Sequence, residues 1–309
     1  MMEVGSVTTI STDKPLYNSW VMDNGVGDFL RGADGRRYVL SAETSSVNPV
    51  VKGPSSNFAD YSRSGLIENL IIDGQGKGVT GILLENVVNC QIRNVTIRNC
   101  EVGIHLRSFA GAWSECNFLK HIRMVNVTKG IVFTTTGPHP ISPGIFPGDS
   151  AAFTTIDDVG ISLANRSDAV GIQIGGIQTT NDPLRNDVDT TLIKPYSSRI
   201  RANVWMKSNG GTGLRVMKNG ELRYAQAHLT VTGPSNGIGI QIDDAPNPGD
   251  RRDRVVWHNQ FSTFTGTYPN DTATKKGLML VTSGINNPIL PESDSYADAV
   301  VTDIIHKTF

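Results

Sequence analysis

Glycine followed by an apolar–variable–apolar triplet recurs along the chain. Gly81-Ile82-Leu83-Leu84 is followed by Gly103-Ile104-His105-Leu106, Gly130-Ile131-Val132-Phe133, Gly171-Ile172-Gln173-Ile174, Gly213-Leu214-Arg215-Val216, Gly239-Ile240-Gln241-Ile242 and Gly277-Leu278-Met279-Leu280. Alternation with period two is the mark of a β-strand, so the two apolar residues of each triplet share one face. The variable position is expected to point outward, and the glycine to supply a positive φ where the chain turns into the strand. The shortest step, from Gly81 to Gly103, gives the length of a basic coil. Longer steps fit the same coil with a loop inserted, or an unmarked coil in between.

A second strand-like run precedes each signature. Ile67-Glu68-Asn69-Leu70-Ile71-Ile72 parallels Ile92-Arg93-Asn94-Val95-Thr96-Ile97, Leu119-Lys120-His121-Ile122-Arg123-Met124 and Ile156-Asp157-Asp158-Val159-Gly160-Ile161. Later runs contain Asn203, His228 and Gln260. In a solenoid, equivalent residues stack about 4.8 Å apart, so polar groups at one position can bond along the axis. Asn69, Asn94, His121, Asn203, His228 and Gln260 are therefore read as a structural ladder.

The fold these repeats predict is all-β, a right-handed parallel β-helix. Equivalent strands recur in one direction, and crossovers between parallel strands are overwhelmingly right-handed. A propeller blade of about 40 residues does not fit the short first step. Residues 1–60 lack the signature and are expected to form an N-terminal cap or docking arm. Within them, Phe29–Leu40 reads as a hairpin around Asp34-Gly35. Residues 61–309 would be the solenoid with a C-terminal capping segment, in which Ile304, Ile305 and Phe309 are the apolar positions. Loop insertions are expected over 136–150, 179–195, 246–253 and 265–275.

Charge adds little direction. The 28 basic and 29 acidic residues nearly cancel, which gives no field to steer the chain to nucleic acid or an anionic membrane. No apolar run is long enough to span a bilayer, and the N-terminus lacks the basic start and apolar stretch of a secretory signal. The expected location is a virion or extracellular surface reached without such a signal, after a cytoplasmic stage. Cys90, Cys100 and Cys116 are too few for a disulfide framework and lack metal-ligand spacing. They are read as small buried apolar residues, and neither metal nor other cofactor is expected.

The runs Ile67–Gly74 and Ile92–Cys100 resemble the pectin-lyase-like family of right-handed β-helices, a resemblance extending at the level of fold over roughly residues 61–285. Hydrolases of that family carry Asn-Thr-Asp, Asp-Asp, Gly-His-Gly and Arg-Ile-Lys motifs in order. Here Asp157-Asp158 matches the second and Arg199-Ile200-Arg201 loosely echoes the last, while Gly-His-Gly is absent. The weak catalytic candidates implied are Asp157, Asp158 and Asp187. Adjacent residues on a strand face opposite ways, so only one of Asp157 and Asp158 is expected on an outer site. The chain also resembles tail-spike and surface β-helix proteins of phages and archaeal viruses, which implies a homotrimer contacting other virion or surface proteins. The expected role is non-catalytic, structural or glycan-binding, with a hydrolase or lyase of acidic glycans as the alternative. Trp20 and Trp113 are the candidates for stacking on sugars. Trp205 and Trp257 lie in strand runs and are expected to pack structurally.

Overall fold

The computed structural model describes residues 8–12, 16–17, 28–31, 38–42, 45, 48–52, 65–108, 114–135, 148–176, 192–195, 198–217, 220, 222–234, 236–242, 255–257 and 278–280. Every regular element among them is a strand. The first coils hold β1 (Thr8–Thr12), β2 (Leu16–Tyr17), β3 (Asp28–Arg31), β4 (Tyr38–Ala42), β5 (Val51–Lys52), β6 (Gly65–Glu68), β7 (Leu70–Asp73) and β8 (Thr80–Glu85). The middle holds β9 (Gln91–Arg98), β10 (Val102–Ser108), β11 (Phe118–Val127), β12 (Lys129–Thr135), β13 (Gly148–Ser150), β14 (Thr155–Leu163), β15 (Val170–Ile174) and β16 (Leu192–Lys194). The last coils hold β17 (Arg199–Trp205), β18 (Thr212–Val216), β19 (Leu222–Thr232), β20 (Ile238–Ile242), β21 (Val255–Trp257) and β22 (Leu278–Leu280).

Two long sheets take these strands alternately. The ladder face runs β1-β4-β7-β9-β11-β14-β17-β19-β21, with β3 and β6 beside that path, and the signature face runs β2-β5-β8-β10-β12-β15-β18-β20-β22. Neighbours pair in parallel throughout. Each passage from one face to the other and back adds a coil, so the fold is a parallel β-helix. The seven signatures form one row, Ile82, Ile104, Ile131, Ile172, Leu214, Ile240 and Leu278. Every interval between signatures is thus a single coil, and the long ones carry insertions. Inward rows such as Val95, Ile122, Val159, Ala202 and Leu229 pack against it from the ladder face. Each buried Ile or Leu contributes about 1.5–3 kcal/mol relative to exposure.

The signature glycines act differently from expectation. None of Gly81, Gly103, Gly130, Gly171 and Gly213 has a left-handed φ; what they permit is close approach. A Cβ on Gly81 would stand 2.8 Å from the carbonyl oxygen of Gly103, and one on Gly103 would stand 2.7 Å from that of Gly130. The corner is a column of backbone packed on backbone. Its connections are short: from β7–β8 to β19–β20, the path from ladder face to signature face ranges from Thr128 alone to stretches such as 164–169. The opposite corner takes the long insertions, 136–147 and 177–191 among them. Next to these, β13 and β16 pair in parallel as a small third sheet.

Three more expectations are corrected. Phe29–Leu40 is not a hairpin: β3 pairs with β6 and β4 with β7, both in parallel. Arg31 aligns with Glu68 and Tyr38 with Leu70, so the sequence from β3 to β4 is longer than the single residue, Asn69, between β6 and β7. On the far side of Asp34-Gly35, pairing along the axis buries Val39, Leu40 and Ala42 of β4. The variable signature position is covered rather than open to solvent: Leu83, His105, Val132 and Gln173 are buried, although Leu83 and Val132 stand apart from the core cluster that holds their neighbours. His105 Nε2 lies 2.6 Å from Thr134 Oγ1, and the Gln173 amide donates to the Gly175 carbonyl at 2.8 Å. The Arg107–Glu85 ion pair is nearly buried on the same face. Finally, Cys90 and Cys100 are buried, with burial pushing each thiol up to about 12, but Cys116 is exposed.

Candidate functional site

The ladder face is built around a column of left-handed residues. Asn69 (φ 58°), Asn94 (φ 53°), His121 (φ 53°) and Asp158 (φ 51°) occupy successive coils. Asn, Asp and His are the non-glycine residues that tolerate this conformation best. The Asn94 amide donates to Asn69 Oδ1 at 2.5 Å, and His121 Nδ1 lies 2.7 Å from Asp158 Oδ2. The break in alternation at φ 51° puts Asp157 and Asp158 both on the outer side, where sequence reasoning allowed only one. A second pair stands five residues on, where Asn126 donates to Asn99 Oδ1 at 2.9 Å; Asn99 in turn donates to Oδ1 of Asp73, four residues after Asn69, at 3.1 Å. Its signal was the repeated spacing Asn94 to Asn99 and His121 to Asn126.

Carboxylates on this face are matched to cations of neighbouring coils. Arg93 reaches Glu68 at 2.5 Å, Arg98 reaches Asp73 at 2.8 Å, and Arg201 reaches Asp157 at 2.7 Å, with Lys120 4.0 Å from the same carboxylate. Arg123 reaches Asp158 at 3.2 Å and also donates to its backbone carbonyl at 2.8 Å. The hydrogen bond from His121, helped by Arg123, holds the Asp158 carboxyl below the usual carboxylate range. At Asp73 burial pushes upward, but bonds from Asn99, the Gln75 N–H and Arg98 outweigh it, and the net shift is also down. General acids in glycoside cleavage need the opposite, a raised carboxyl. Among the described residues no three His, Cys, Asp or Glu side chains are grouped to hold a metal ion.

Outward residues on either side of the left-handed column form two features. Before it, Phe118, Thr155, Asp157, Arg199 and Arg201 line a groove of about 330 Å³. Phe118, Thr155 and Arg199 share one row across β11, β14 and β17. After it, Trp205 is 42% exposed, and its ring lies across Gly160, where an added Cβ would be 3.1 Å from Trp205 Cζ3 and 3.1 Å from Arg123 Cδ. Val125, Ser162 and Trp205 form the row beside it, with Val125 48% exposed.

The sequence-chosen residues divide accordingly. Asn69, Asn94 and His121 stand in the left-handed column, which Asp158 extends. Asn203 does not: it aligns with Gly160 and Arg123, two positions beyond it, because β14 carries an extra residue opposite β17. His228 aligns with Arg201, next along from the column. Gln260, Asp187, Trp20 and Trp113 lie outside the described residues. Trp205, expected to pack structurally, instead offers a ring to solvent. Its outward parity was legible from the alternation Ile200, Ala202, Val204.

No family model matches the chain, and no curated protein matches it. Among solved structures, tailspike protein 3 of bacteriophage CBA120 is similar, with 12% identity and a TM-score of 0.20 over 84% of this chain and 51% of that one. The chain spans about half the length of that protein. Among the described residues no helix is long and apolar enough to cross a membrane.

Proposed function

We propose that this β-helix is a non-catalytic, glycan-binding component of a virus particle or cell surface, working as a homotrimer. The observation that carries the reading is the half-exposed Trp205, whose ring packs against Gly160 beside Arg123 on the outer ladder face. An exposed indole next to hydrogen-bonding groups suits a sugar ring, which has an apolar face and a polar rim. Asn203 and Ser162 on the same face supply an amide and a hydroxyl. Val125, exposed in the same row, adds an apolar neighbour to the ring. The pairing of Asp157 and Asp158 with cations supports recognition over acid–base chemistry.

A glycan array tests this. Wild-type protein is expected to bind a subset of glycans and Trp205→Ala to lose them, with no reducing sugar or unsaturated product released. Turnover that disappears in Asp158→Asn would replace this reading with the hydrolase or lyase one. A native mass of one subunit would remove the trimer.

A further inference from the structure

We propose that the groove before the left-handed column binds the anionic group of a charged polysaccharide, with Arg199 as its receptor; this rests on the glycan-binding reading. Arg199 is exposed in the row that runs Gln91, Phe118, Thr155, Arg199 and Gln226 across successive coils. Among the described residues no carboxylate pairs with it, whereas Arg93, Arg98, Arg107, Arg123, Arg166 and Arg201 each hold one. A guanidinium in a concave site without a counter-ion favours an incoming carboxylate, sulfate or phosphate, which it grips through paired N–H donors.

The surroundings select a sugar polymer. Phe118, with Lys120 Nζ 5.9 Å from its ring centroid, adds an aromatic ring to the groove lining, and Thr155 adds a hydroxyl. Asp157 is held by Arg201, which leaves Arg199 as the groove's unmatched charge among the described residues. Successive coils stand about 4.8 Å apart, so an extended chain lying along the axis meets Phe118, Thr155 and Arg199 in turn. Charge at one station and stacking at another impose a register on the polymer.

The test uses the full chain with three probes: hyaluronan for carboxylate, dextran sulfate for sulfate, and unmodified dextran as the neutral match. Affinity electrophoresis is expected to show retardation by one or both charged polymers and none by dextran. Arg199→Ala should weaken that binding at least tenfold, Arg199→Lys less, and Lys207→Ala, which removes the same charge from another corner, should leave it within twofold. Circular dichroism and thermal melting establish that the variants fold. Equal binding of dextran and dextran sulfate, or an Arg199→Ala variant as tight as wild type, overturns the inference. So does failure of both charged polymers to bind. If array glycans still bind and are lost in Trp205→Ala, the glycan-binding reading survives alone; if the wild type binds no glycan anywhere, both fall.

Discussion

Gly171 illustrates how tightly single positions are specified. A methyl group there would meet the Gly213 carbonyl oxygen at 2.5 Å and both Val204 methyls at 2.8 Å. Backbone in the next coil cannot yield as a flexible side chain can, so Gly171→Ala is expected to cost about 1–3 kcal/mol, read from urea unfolding. Asp158 sets a different constraint. A carboxylate held low by His121 and Arg123 in the folded state stabilises the fold above its unfolded value, and that contribution disappears as pH falls through the folded one. Asp158→Asn keeps a residue suited to φ 51° and removes the charge. Wild type should therefore exceed it in stability at neutral pH, with the gap closing below about pH 4; a gap unchanged in acid would contradict the assignment. Sequence alone showed which residues alternate, yet not why glycine leads each signature. The reason lies in an inter-coil distance, and no local propensity encodes one.

At the scale of the strand, the left-handed residue is a hinge within each rung. It lets one continuous run of chain turn while both halves keep their inward apolar residues, as Leu119 and Ile122 do around His121. Asn94→Ala should lose both the bond to Asn69 and the tolerance for a positive φ, at about 1–3 kcal/mol. Asn94→Gly should lose only the bond, at about 1 kcal/mol. Thermal melts of the pair separate the two effects; equal losses would mean that backbone conformation plays no part. Inward patterning made the strands legible, because hydrophobic parity survives any choice of partner. The pairing on either side of Asp34-Gly35 was not legible, since a turn-forming dipeptide also fits between two strands that each pair with another coil, as β3 does with β6 and β4 with β7. The Asn203 position was lost to the extra residue in β14, a shift visible only when the coils are laid together.

For the molecule as a whole, stability is shared between neighbouring coils, so interior rungs have two partners and terminal ones have one. Hydrogen exchange should be slowest for amides within Ile92–Ile97 and Ile104–Leu106, and faster toward Thr8–Thr12 at the first described rung. Uniform protection along the chain would instead mark a single cooperative unit. The solenoid itself was readable because seven signatures repeat one physical demand. The recognition surface was not, since it joins residues as remote as Phe118 and Arg199 through registers fixed by intervening loops. Those loops all leave from the corner away from the glycine column in the coils from β8 to β20. An engineer wishing to graft a foreign peptide or a fluorescent tag would place it between Gly176 and Leu192, ahead of β16. The same cargo placed at Thr128 would force the stacked backbones apart and unseat the rungs on either side.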